Sequence, residues 1–221
     1  MQSMITHATD TMLEGNTSKL ISIVEECRKL GWSNLTIFEE LLKPALYTVG
    51  DKWESDEVTV ADEHLATMTV DYILSFLQKA EDSQTKIERT AMLFCVEGEE
   101  HYLGLKMTAS ILSLSGWEVK FLGPNLPTKY AVHFAKKWKP QLIGISVSMR
   151  GLIKNVEECT SELASLSHRP SIFVGGRIVA LKEKMMLPRN VERITSLYDL
   201  QHWLTHKNMQ DTSFQKEVTL R

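Results

Sequence analysis

The hydrophobic period changes once along this chain, near residue 88, and that change limits what it can fold into. Residues 90–96, Thr-Ala-Met-Leu-Phe-Cys-Val, form a short, almost continuously apolar run. A strand wetted on one face would alternate polar and apolar side chains, so this run reads as a strand covered on both faces. Beyond it, helical and strand patterns take turns. Helices are expected at about 102–115, 128–138, 155–165 and 198–206. Strands are expected at 117–122, 142–146 and 171–174, with a weaker one near 193–195. Repeated βα units of this size imply a parallel, doubly wound sheet.

Before residue 88 only helical periods occur. A short helix is expected around 6–13. Leu20, Ile21, Ile23, Val24, Cys27 and Leu30 then mark one helical face, with Asn16 or Thr17 as cap and Gly31 at the end. Thr36 with Glu39 three residues later forms a capping-box pattern. The stripe behind it runs through Leu42, Leu46, Val49 and Trp53, and Pro44 and Gly50 are expected to bend or interrupt it. A third helix spans about 59–80, its core face expected through Ala61, Leu65, Met68, Tyr72 and Phe76. The organisation expected is a helical bundle at 1–80, a polar linker at 81–88, an α/β unit at 89–206 and a frayed tail at 207–221.

Composition excludes several classes. Of 221 residues 43% are hydrophobic, enough to build a core. The net charge of −3, without a basic cluster, argues against a nucleic-acid surface. No apolar run nears the roughly 18 residues that span a bilayer, and the polar N-terminus is no secretory signal. The three cysteines, Cys27, Cys95 and Cys159, are too scattered for a disulfide framework or a CxxC metal site. They read as small buried hydrophobes in a reducing, cytoplasmic protein.

In doubly wound sheets ligands bind beyond the C-terminal strand ends, near the switch in strand order. The loop after the first expected strand holds Glu97, Gly98, Glu99, Glu100, His101 and Tyr102, and Gly104 follows in the next helix. A metal-bound imidazole usually gives its other ring proton to a carboxylate, and Glu99 is within reach of His101. Gly104 has no side chain and would let a bulky planar ligand come close. The same residues also fit an ordinary solvated loop.

Glu99-x-His101-x-x-Gly104 resembles the D/E-x-H-x-x-G signature of cobalamin-binding domains. The resemblance implies a flavodoxin-like, Rossmann-like α/β fold, with His101 as the lower cobalt ligand in place of the cofactor's own base. Gly144-Ile145-Ser146-Val147-Ser148-Met149 is similar to that family's serine segment, which implies that Ser146 and Ser148 meet the buried nucleotide tail. Phe173-Val174-Gly175-Gly176-Arg177 is similar to its paired glycines, which implies room for that tail. Gly123-Pro124-Asn125-Leu126-Pro127 also resembles the family. The implied cofactor-binding residues in this half are Glu99, Glu100, His101, Tyr102, Gly104, Ser146, Ser148, Gly175 and Gly176.

The helical half resembles the family's cap over the upper cobalt face. Trp53, nine residues, then Glu63-His64 is similar to the W-x9-E-H pattern of cobalamin-dependent photoreceptor regulators. That implies Trp53, Glu63 and His64 around an adenosyl group. From periodicity alone Trp53 fits plain core equally well. Glu54 departs from the pattern, because the photoreceptors carry histidine there. Residues 1–16 are too short for the MerR-type DNA-binding domain of those regulators, so direct DNA binding is not expected.

Two functions are therefore expected to compete, beside a blander option of a flavodoxin-like domain that binds no corrinoid. One is a stand-alone cobalamin sensor, light-responsive with adenosylcobalamin, that signals through a partner regulatory protein and is open to homo-oligomerisation. The other is a corrinoid protein carrying a methyl group, as methylcobalamin, between methyltransferases. Neither gives the chain a catalytic residue of its own, because the chemistry belongs to the cofactor.

Overall fold

The computed structural model describes residues 1–79 and 89–205, so the expected linker 81–88 and tail 207–221 lie outside the described residues. Five helical segments come first: α1 (Gln2–Leu13), α2 (Thr17–Lys29), α3 (Asn34–Ile37), α4 (Lys43–Glu54) and α5 (Val60–Lys79), with a π-helical turn, Phe38–Leu42, between α3 and α4. The Asn16 side chain caps α2 by accepting from the Lys19 amide at 3.0 Å, as the sequence suggests.

The expected capping box lies elsewhere. Ser33 caps α3 by accepting from the Thr36 amide at 3.1 Å, while Glu39 accepts from the Leu197 amide at 3.0 Å. Pro44 falls in the first turn of α4, directly after the π turn, where a missing N–H costs least. Gly50 lies inside α4 without breaking it.

The face of α5 differs most from expectation. Ala66, Val70, Ile73, Leu74 and Leu77 are buried, whereas Leu65, Met68, Tyr72 and Phe76 are exposed. The helix carries apolar residues on two sides, and a period fixes their spacing without saying which side meets the bundle.

The second half alternates β1 (Thr90–Val96), α6 (Leu103–Leu114), β2 (Glu118–Leu126), α7 (Thr128–Trp138), β3 (Leu142–Ser146), α8 (Ile153–Ala164), β4 (Ser171–Gly175), α9 (Arg177–Ala180) and β5 (Val191–Arg193). Residues 197–205 are helical. The strands are all parallel, in the order β2-β1-β3-β4-β5, the flavodoxin-like arrangement. The order reverses between β1 and β3, which places the switch beside the loop that follows β1.

β1 is covered on both faces, and its residues alternate between two cores. Ala91, Leu93 and Cys95 join a cluster that runs through α6 into the helical bundle, reaching Leu74, Phe38 and Leu20. Met92, Phe94 and Val96 join the cluster beneath α7 and α8, with Ala131, Val156 and Cys159. All three cysteines are buried, and burial, the largest cause in each, pushes the Cys95 thiol up to about 12 and Cys159 to about 11. Both stay protonated and serve as packing. Among the described residues no helix is long and apolar enough to cross a membrane.

Candidate functional site

Three strand ends meet at the switch. Cys95 on β1 is in register with Ser146 on β3, and Ser146 with Gly175 on β4. Beyond them β1 turns through Gly98, whose φ of 85° suits glycine, into Glu99.

Glu99 is fully buried and organises the loop. Its Oε1 accepts from the His101 amide at 2.8 Å and lies 2.6 Å from His101 Nδ1. Its Oε2 accepts from the Ser148 amide and, at 3.2 Å, from the Met149 amide. One carboxylate thus joins the loops after β1 and β3. Burial pushes its carboxyl up, but the hydrogen bonds from His101 and Ser148 outweigh this and hold it below the ordinary value. The hydrogen bond to Glu99 raises the pKa of His101 against the opposing effect of burial.

The His101 side chain is 54% exposed. With Nδ1 engaged by Glu99, Nε2 remains as the atom able to donate to a metal. Among the described residues no three His, Cys, Asp or Glu side chains gather into a metal-binding group. One exposed imidazole would suit a metal that brings its other ligands with it. That donor set fits cobalamin.

The other expected residues take varied places. Glu100 is exposed. Tyr102 stacks obliquely on Phe121, ring centroids 6.4 Å apart, and burial, then Asp71, pushes its hydroxyl up to about 12. Gly104 is exposed, and an added Cβ would meet nothing within 4 Å. Ser146 is buried and in register with Cys95, and Ser148 supplies its amide to Glu99. Gly176 has φ 115°, and a Cβ there would come within 2.0 Å of the Val147 carbonyl oxygen. Close backbone packing therefore requires this glycine. At Gly175 a Cβ would make an ordinary contact, 3.5 Å from the Ile194 carbonyl.

The cap residues gather at the end of α4 and the start of α5. Trp53 is 44% exposed while Val49 of the same stripe is buried, so Trp53 is not plain core. Glu63 accepts from Thr67 Oγ1 at 2.9 Å, and its charge helps to raise the His101 pKa, which puts the cap carboxylate within electrostatic reach of the imidazole. His64 is exposed, its Nδ1 2.6 Å from the Val60 carbonyl.

Several residues that shape the site escaped the sequence reading. Asn125, at φ 54°, accepts from the Gly98 amide through Oδ1 at 2.8 Å and gives its own amide to the Glu99 carbonyl at 2.9 Å. Asn155 Nδ2 donates to the Glu97 carbonyl at 2.9 Å. Arg177 reaches the cap, with Nη2 2.7 Å from Asp51 Oδ1 and its guanidinium 5.1 Å from the Tyr47 ring centroid. The Asn125 signal was present in Gly-Pro-Asn, since asparagine tolerates the left-handed conformation. The others depend on long-range packing.

A single imidazole held by a buried carboxylate at the switch point of a parallel sheet, joined to a helical bundle, is the arrangement of an α/β protein whose candidate ligand site lies at its strand ends. The chain belongs to the B12-binding proteins: residues 89–194 match the B12 binding domain, and residues 5–78 match a second family of the same description. It binds cobalamin.

Among curated relatives, the HTH-type transcriptional repressor CarH of Myxococcus xanthus is 31% identical over 144 residues, 64% of this chain and 47% of the repressor. The chain thus spans about half of that relative's length. Trimethylamine corrinoid protein 1 of Methanosarcina acetivorans is 26% identical over 79% of this chain and 83% of its own. The solved monomethylamine corrinoid protein of Methanosarcina barkeri shares the fold, with a TM-score of 0.66 at 21% identity over 79% of this chain and 84% of that one.

Proposed function

We propose that the protein is a cobalamin-dependent sensor that holds its cofactor with His101 Nε2 as the lower cobalt ligand and the cofactor's own base displaced. The carrying observation is the Glu99–His101 pair: the carboxylate fixes the imidazole through Nδ1 and leaves Nε2 facing outward. The row of Cys95, Ser146 and Gly175 at the strand ends lies where the displaced nucleotide tail would pass, with Ser148 beside it. Glu100, Tyr102, Gly104 and Gly176 would contact the same cofactor. Above, Trp53, Glu63 and His64 would enclose the upper ligand, and their spacing favours adenosylcobalamin.

Bound cobalamin supplies a cobalt–carbon bond that light or a partner can break. The chain's own residues orient the imidazole, cover the cofactor and change their packing when the upper group leaves. The signal would pass to a partner regulatory protein in the cytoplasm, or to a second copy of the chain.

The test is the absorption spectrum of the protein loaded with adenosylcobalamin, in the dark and after green light. We expect a histidine-ligated spectrum that His101→Ala abolishes, and a change in cap packing or assembly after illumination. Indifference of the spectrum to His101→Ala would sink the ligation. Unchanged packing and assembly after photolysis would sink the light-sensing role.

A methyl carrier is the second reading. One observation favours it: the match to the trimethylamine corrinoid protein covers 83% of that protein, against 47% of the repressor. Methyl transfer between bound methylcobalamin and a methyltransferase partner, together with indifference to light, would establish it.

A further inference from the structure

We infer that Arg177 is a positioning residue for the cap, fixing through Asp51 and Tyr47 the end of α4 that carries Trp53 relative to the loop that carries His101. The inference rests on the cobalamin reading above.

One end of Arg177 is tied to the loop that organises His101. Its backbone follows Gly176, which packs against the Val147 carbonyl so closely that a Cβ would clash. The Gly175 carbonyl accepts from the Val147 amide at 3.0 Å. The next two amides, of Ser148 and Met149, are those that bind Glu99. Backbone contacts therefore lead from Arg177 to the buried Glu99 carboxylate, and that carboxylate binds His101.

The other end of Arg177 lies on the cap. Asp51 and Tyr47 stand one turn apart on α4, and the guanidinium pairs with the first and covers the ring of the second. Gly50 lies against it, where an added Cβ would be 3.5 Å from Nη1. Trp53 comes two residues after Asp51. A planar guanidinium engaging a carboxylate and an aromatic face fixes direction as well as distance, which a lysine would not do. Other polar ties between the halves, among the described residues, hold different places. Lys106 Nζ on α6 lies 2.8 Å from Asp71 Oδ1 on α5, and Glu39 in the π turn takes the Leu197 amide. Arg177 is the tie that acts on the C-terminal half of α4.

A residue that fixes the end of α4 carrying Trp53 should matter for a large upper ligand and little for a small one. The experiment titrates the full chain in the dark with adenosylcobalamin and with hydroxocobalamin, for wild type, Arg177→Ala, Asp51→Ala, the double variant and Arg177→Lys. Arg177→Ala and Asp51→Ala should each weaken adenosylcobalamin binding about two- to five-fold, the range of an exposed ion pair. Hydroxocobalamin binding should hold. The double variant should be no worse than either single one, because the residues act as one unit, and Arg177→Lys should fall between. Amide exchange at residues 47–54 in the cofactor-free protein should also quicken in Arg177→Ala.

Equal loss for both cobalamins would mark a general structural role and overturn the inference, as would no change for either. A wild-type chain without a histidine-ligated spectrum would overturn the cobalamin reading itself, and the inference with it. Because the pair is exposed, the variants should fold, and a thermal melt of each confirms it.

Discussion

Glu99 shows what one residue can decide. It is fully buried, yet it stays charged because two backbone amides of the β3 loop, the His101 amide and the His101 ring all bind it. A glutamine of the same size keeps the shape but loses the charge and one acceptor. Glu99→Gln should therefore lower cobalamin affinity by about 10- to 100-fold, the usual cost of removing the group that orients a metal-bound histidine. Titration followed in the visible spectrum measures it.

The pair also sets a pH window for the cofactor-free protein. Glu99 has a lowered pKa, so its contribution is present above its ordinary value of 4.5 and is lost as pH falls through the folded value. His101 has a raised pKa, so its contribution is present below its ordinary 6.5 and is lost as pH rises through the folded value. The stability gap between wild type and Glu99→Gln should be widest between these ordinary values and narrow on both sides. Urea melts across pH check this, and a flat gap would refute it. The Glu99–His101 pair was legible because its members are two residues apart. Asn155, Arg177 and Asp51 were not, because only the folded sheet and cap bring them to the loop.

At the scale of elements, strands were easier to read than helix faces. β1 was plain, because a run buried on both faces leaves little room for alternation. For α5 the period placed the helix well but selected the wrong face, since Leu65, Met68, Tyr72 and Phe76 repeat as regularly as the residues that are buried. Mutation separates the faces. Leu74→Ala should cost about 2–5 kcal/mol as a core truncation, while Met68→Ala should stay within about 0.5 kcal/mol as a surface change. Comparable losses in denaturant melts would contradict this assignment. Gly176→Ala tests the turn after β4. It combines an unfavourable φ with a backbone clash, so it should cost at least about 1–3 kcal/mol, and no conservative residue should rescue it.

Across the whole molecule, the cap and the sheet share a core. The cluster from Leu20 and Phe38 through Leu74 continues into α6, Leu93 and Phe173, so the helical half is not a separate body resting on the sheet. Lifting it away whole would expose that apolar surface, at about 25 cal/mol for each Å² uncovered. Any motion of the cap is therefore expected to be small and to lie near the Arg177–Asp51 pair, with α5 held on α6 through Lys106 and Asp71. Cofactor-free protein should then unfold in guanidinium as one cooperative step, with a probe in the bundle and a probe on the sheet giving coincident transitions. Adenosylcobalamin at a hundred times its dissociation constant should raise the midpoint for both probes together, through about 2.7 kcal/mol of added stability. Two separated transitions would show that the halves fold independently, and would allow the cap a far wider swing than the shared core permits.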